Sequence, residues 1–120
     1  MPLPVRHNIG AFPTYMWKSE ATIINRLISE ILNRGLSVSV YDGCAYPVKR
    51  STNRAEIQRN VAATDETHFW VRDADGNQVA WFLMMHGNWC DVISDCTDND
   101  LTNEIMRAIE PTINRQEGKQ

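Results

Sequence analysis

Residues 67–86 constrain the fold more than any other stretch of this chain. Residues 67–72 alternate Phe69 and Val71 against His68, Trp70 and Arg72, while residues 78–86 are apolar on both faces, with Val79, Trp81, Leu83 and Met85 on one and Ala80, Phe82 and Met84 on the other. Between them lies Asp73-Ala-Asp-Gly-Asn77, where Gly76 and Asn77 tolerate positive φ, so the two runs predict a β-hairpin. A strand apolar on both faces is expected in the middle of a sheet, with a covering layer on each side. The chain must therefore build a sheet and supply cover for it.

The flanking segments supply that cover. Ile23, Ile24, Leu27, Ile28, Ile31 and Leu32 recur at helical spacing between Ser19, read as an N-cap, and Gly35, read as the stop. Residues 36–41 set Leu36, Val38 and Val40 against Ser37, Ser39 and Tyr41, the period of a half-buried strand, and Asp42-Gly43 turns the chain. Asn53 with Glu56 three residues on predicts a capped short helix reaching about Ala63, with Ile57 and Val61 inward. A short strand is expected around residues 91–94. Thr97 or Asp98 then caps a last helix carrying Leu101, Ile105, Met106 and Ile109 on one face, which Pro111 is expected to end or kink.

The expected fold is a single α+β domain in the order α-β-α-β-β-β-α, a mainly antiparallel sheet with helices packed on one face. The domain is placed at 19–114, after an extended arm at 1–18 and before a disordered tail at 115–120. Helices on one face leave the side of Trp70 and Trp81 open. It would be covered by the arm, with Phe12, Tyr15, Met16 and Trp17, by the same face of a second copy, or by a helix crossing over.

With 120 residues there is room for one such domain. The longest apolar run, residues 80–85, falls far short of the roughly 20 residues that span a bilayer, so no membrane span is expected. The first residues lack a charged start followed by an apolar stretch, and the expected location is cytoplasmic. Cys44, Cys90 and Cys96 are an odd number without framework spacing, which predicts free thiols. Residues 1–60 carry a charge of +4 and residues 61–120 a charge of −7, a polarity that steers partners or docks two copies.

Reactive residue types concentrate at His86, Cys90, Asp91 and Asp95. A thiol with a nearby imidazole and carboxylate is the composition of a small hydrolase or thiol enzyme, although a lone cysteine beside a turn is more often a packing residue. Cys44, His86, Cys90 and Cys96 are zinc-ligand types, but no CxxC or HxxxH pair is present, so neither a metal nor a cofactor is expected. Asp95, Asp98 and Asp100 lack the glycine and distal Glu of a calcium loop and are better read as helix N-terminal acids. Lys49, Arg50, Arg54 and Arg59 with Tyr46 have some nucleic-acid character, which a pI near 5.5 opposes. The binding residues expected at the surface are Tyr41 and Asp42, at a strand end where pockets open, with Tyr46, Trp70 and Trp89.

The turn Ser39-Val-Tyr-Asp-Gly43, the hairpin Phe69-Trp-Val-Arg-Asp-Ala-Asp-Gly-Asn77 and the run Val92-Ile-Ser-Asp-Cys-Thr-Asp-Asn99 resemble small proteins of phages and bacterial mobile elements, over residues 15–112. The resemblance implies an accessory protein that works by binding a host or partner protein, and it assigns no site residue. The reading of the sequence is a non-enzymatic interaction or regulatory domain, a homodimer, acting through an aromatic and acidic surface. The alternatives are a hydrolase or thiol enzyme built on Cys90, and a small-molecule-binding protein.

Overall fold

The computed structural model describes residues 9–118, and its elements run α1 (Lys18–Asn33), β1 (Ser37–Tyr41), β2 (Val48–Ser51), α2 (Arg54–Arg59), β3 (Glu66–Arg72), β4 (Gln78–Met85), β5 (Ile93–Cys96) and α3 (Asp100–Gln116). A single 3₁₀ turn, Trp89–Asp91, precedes β5. The strands form one antiparallel sheet in the order β2-β1-β3-β4-β5, with the helices on one face, so the α+β architecture is as expected.

The hairpin forms as its turn residues require. The Asp73 carboxylate accepts the N–H groups of Asn77 (2.9 Å) and Asp75 (3.0 Å), and Gly76 takes φ +84°, which a side chain would strain. The Asn77 bond foremost holds the Asp73 carboxyl below its usual range.

The order differs from expectation by one strand. β2 shows no alternation because a bulge interrupts it: Val38 and Val40 of β1 pair with Ser51 and Val48, so three steps on β2 match two on β1. Arg50 takes φ +48° there and donates its N–H to Ser39 Oγ at 2.9 Å. The strand in the middle of the sheet is β3. β4 lies one place out, and only its Ala80, Phe82 and Met84 face is fully buried. The opposite face of β4 is half-buried, its Trp81 ring beside those of His68 and Trp70, without a second layer among the described residues.

The core lies between sheet and helices. Val38, Val40, Phe69, Val71, Phe82 and Met84 meet Ile23, Ile24, Leu27, Ile28 and Ile31 of α1 and Ile105 of α3. The apolar stripe of α1 was legible, but its start is not the Ser19 cap: the helix begins at Lys18, after Trp17 in extended conformation. Asn53 does cap α2, accepting the Glu56 N–H at 3.0 Å, and the helix then stops at Arg59, short of Ala63, because the chain turns at Ala62 with φ +62°. Asn99, rather than Thr97 or Asp98, caps α3 by accepting the Thr102 N–H at 2.8 Å. Helix α3 runs through Pro111 to Gln116, two residues beyond the expected end of the domain at 114. Pro111 and Arg107, whose carbonyl loses its intrahelical partner, are both exposed, so solvent takes up that carbonyl.

Residues 9–17 form turns rather than an extended arm. Phe12 and Met16 are buried in the core, the Ala11 N–H donates to Gln58 Oε1 of α2 at 2.9 Å, and the Tyr15 hydroxyl donates to the Ala62 carbonyl. This segment packs on the helix layer, so Phe12 and Met16 do not cover Trp70 and Trp81. Residues 1–8, with the prolines Pro2 and Pro4, and residues 119–120 lie outside the described residues. Among the described residues no helix is long and apolar enough to cross a membrane.

Candidate functional site

Strand register decides which side chains share the open face. Ser39 pairs with Trp70 and Trp70 with Trp81; Tyr41 pairs with His68 and His68 with Leu83. Because side chains alternate across a sheet, both rows project away from the helices. Their rings form one continuous series: Tyr46 to Tyr41 at 4.8 Å between centroids, Tyr41 to His68 at 5.3 Å, His68 to Trp81 at 5.9 Å, and Trp81 to Trp70 at 5.8 Å. These spacings fall in the attractive range for aromatic pairs.

Hydrogen bonds fix part of this series. Trp81 Nε1–H can only donate, and it donates to His68 Nδ1 at 3.1 Å, so the other ring nitrogen of His68 carries hydrogen and meets the Glu66 carboxylate. The Tyr41 hydroxyl donates to the Gly43 carbonyl at 3.0 Å. Trp70 differs: its Nε1 is shielded from solvent and has no hydrogen-bond partner among the described residues.

Beside Trp70 opens a cavity of about 460 Å³, lined by Ser39, Tyr46, Lys49, Arg50 and Arg72 among others. Arg72 donates to the Gly76 carbonyl at 2.8 Å. Among the described residues Lys49, Arg50 and Arg72 form no ion pair. At the far side of the same face Asp95 of β5 pairs with Leu83 and is exposed. The open face is thus aromatic in the middle, basic along β2 and acidic along β5.

A second cavity, of about 400 Å³, opens on the helix side of the sheet between Tyr15, Trp17, Glu20, Asp65 and His86. Thr67 Oγ lies 2.7 Å from His86 Nε2 and also accepts the Ala62 N–H at 3.0 Å. With the Thr67 hydroxyl as donor, the ring hydrogen sits on His86 Nδ1, which is 3.6 Å from Glu20 Oε1 and makes no hydrogen bond. Glu20, only 2% exposed, accepts the N–H groups of Gly87 (3.0 and 3.2 Å to its two oxygens) and Trp89 (2.9 Å). Hydroxyl, imidazole and carboxylate follow in the order of a hydrolase triad, with the Thr67 residue buried at 1% exposure. The network anchors the loop after β4 to α1.

The four residues considered for catalysis sit in different settings. His86 turns to Thr67 and Glu20 on the helix side, Cys90 is 8% exposed in the core, Asp91 is exposed at the 3₁₀ turn, and Asp95 stands on the open face. Among the described residues no three His, Cys, Asp or Glu side chains are grouped to hold a metal ion. Of the five binding residues, Tyr41, Tyr46 and Trp70 come together on the open face. Asp42 serves its turn, its Oδ1 accepting the N–H groups of Cys44 and Ala45 at 2.8 Å each, which holds its carboxyl below the usual range, the Ala45 bond foremost. Trp89 stands apart, 46% exposed in the loop tied to Glu20, with φ +56°. His68, Trp81 and Arg72 complete the face. Their alternation was visible in the sequence, but their shared exposure was not, since β4 was read as covered twice.

No family model, no curated protein and no solved structure matches the chain. The site is therefore read from its geometry.

None of the three cysteines is in a disulfide, and their surroundings rank their reactivity. Cys44 is exposed and Cys90 buried, while burial pushes the Cys96 thiol above its usual range, with the charges of Asp95 and Asp98 adding to the effect. At pH 8, iodoacetamide is expected to alkylate Cys44 first, Cys96 several-fold more slowly, and Cys90 only on unfolding. A time course of digested-peptide masses checks the order, and early labelling of Cys90 would contradict it.

Proposed function

We propose that this chain is a small non-enzymatic interaction module that works as a homodimer through the open face of its sheet. The observation that carries the reading is the uninterrupted row from Tyr46 through Tyr41, His68 and Trp81 to Trp70, lying across a sheet face without a second layer among the described residues. Large amphipathic rings at the centre of a surface are the side chains that dominate protein interfaces. The unpaired Trp70 Nε1 adds to this, because a shielded donor without a partner costs about 1–3 kcal/mol that a docked acceptor removes. The basic and acidic ends of the face make it complementary to itself. An accessory role of the kind implied by the resemblance to small phage and mobile-element proteins fits this reading. So does the cytoplasm, where an exposed thiol such as Cys44 stays reduced.

One observation favours small-molecule binding as a second reading. The cavity beside Trp70 holds three cations without carboxylate partners among the described residues, next to an aromatic wall, an environment for a planar anion. Native mass spectrometry separates the two, since a retained mass on the monomer would favour the ligand.

Sedimentation velocity over a concentration series tests the dimer. Wild type is expected to associate in the micromolar range, Trp70→Ser at least tenfold more weakly, and Cys90→Ser like wild type where it remains folded. A monomer at every concentration would overturn the homodimer, and association insensitive to Trp70 would overturn the face.

A further inference from the structure

The two ends of the open face carry opposite charge, and we infer that this fixes how two copies stack. They meet face to face about a two-fold axis running along the strands, so that Lys49 and Arg50 of each copy lie over Asp95 of the other. The inference rests on the homodimer proposed above and specifies its geometry.

β2 and β5 are the outermost strands, four strand spacings apart, which is about 19 Å. The β2 bulge sets both Lys49 and Arg50 level with Ser39, and the row from Ser39 through Trp70 and Trp81 continues to Thr97, whose N–H donates to the Trp81 carbonyl at 3.0 Å. Asp95, level with Leu83, and Asp98, one residue past Thr97, flank the far end of that row. Opposite charges thus terminate neighbouring rungs of the same face, Lys49 and Arg50 the Ser39-Trp70-Trp81 rung and Asp95 the Tyr41-His68-Leu83 rung, about 7 Å apart along the strands and within reach of lysine and arginine side chains.

Stacking a face on itself by a two-fold leaves two principal in-plane directions for the axis. An axis across the strands lays β2 over β2 and β5 over β5, setting four cations together at one end and carboxylates together at the other. An axis along the strands exchanges β2 with β5 and forms the favourable pairing twice, with β3 and its Trp70 nearest the axis. Arg72 and Glu66, at opposite ends of β3, would prefer the first arrangement. Each is already engaged in its own chain, however, Arg72 with the Gly76 carbonyl and Glu66 with His68, whereas Lys49 and Arg50 have no carboxylate partner among the described residues. Sheets stacked about 10 Å apart and within about 30° of alignment leave room for lysine and arginine side chains to reach across. A face about 19 Å by roughly 17 Å contributes on the order of 300–400 Å² per copy, below the usual 800 Å², so the dimer is concentration-dependent and weakens with salt.

Zero-length carbodiimide coupling of the wild-type chain, at a concentration where it associates, tests the axis directly. The expected product is a covalent dimer with Lys49 joined to Asp95, a link that one chain cannot make across about 19 Å. Charge reversal gives an independent readout by sedimentation. Lys49→Glu with Arg50→Glu, or Asp95→Lys alone, is expected to weaken association at least tenfold, and an equimolar mixture of the two variants to restore it as a heterodimer. A covalent dimer lacking the 49–95 link, or charge-reversed variants that associate as well as wild type, would overturn the axis and leave the homodimer standing. A wild-type chain that stays monomeric overturns both.

Discussion

Glu20→Ala is expected to lower stability by about 3 kcal/mol, because among the described residues it is this buried carboxylate that accepts the N–H groups of Gly87 and Trp89, and hydrogen bonds to charged groups contribute about 1.5–3 kcal/mol each. The substitution also removes the Glu20 charge 3.6 Å from His86 Nδ1. The loss is partly offset, since a buried carboxylate carries its own desolvation cost. Glu20→Gln keeps one acceptor oxygen and is expected to lose about half as much. Denaturant unfolding measures the totals, and amide exchange at Gly87 and Trp89 locates them. A loss below about 1 kcal/mol, with both amides still protected, would show that the loop is held by something other than Glu20.

Phe69→Ala is expected to cost about 3–5 kcal/mol, the range for truncating a fully buried phenylalanine. Phe69 lies on the middle strand, between Val40 on one side and Phe82 on the other, and is wholly buried beneath the helices. Domains of this size have only about 5–15 kcal/mol in hand, so the variant is expected to unfold at a much lower denaturant midpoint. The same strand carries Trp70 on its other face, and intrinsic tryptophan fluorescence reports whether the open face survives the loss. A midpoint shift equivalent to less than about 1.5 kcal/mol would mean that neighbouring side chains collapse into the space.

The elements with an internal period were legible in the sequence, and those defined by a single interaction were not. The stripe from Ile23 to Leu32 and the alternation around Phe69 repeat often enough to announce α1 and β3. β2 offers only Val48 and Ser51 inward, separated by a bulge, so its period is lost although its pairing with β1 is real. Caps show the same limit: Asn53 was found because Glu56 completed its pattern, while Asn99 was passed over for its neighbours Thr97 and Asp98. The candidate face was half legible. Tyr46 and Trp70 were named from residue type and Tyr41 from its place at a strand end, but Lys49 and Arg50 enter it only through the β2 bulge, and Glu20 meets His86 across 66 residues of chain, a pairing that spacing does not encode.

The outermost strands have a consequence for what the molecule avoids. An unpaired strand margin invites another chain to add on, and repeated addition leads to fibres. β2 and β5 are each four residues long, each is kinked by a bulge, and each carries charge, Lys49 and Arg50 on one and Asp95 on the other. These features oppose lateral growth of the sheet at both margins. In the homodimer proposed above, contact through the rings would be used up by one encounter, because helices cover the reverse side. Such a chain would display two half-buried tryptophans and still terminate its own assembly.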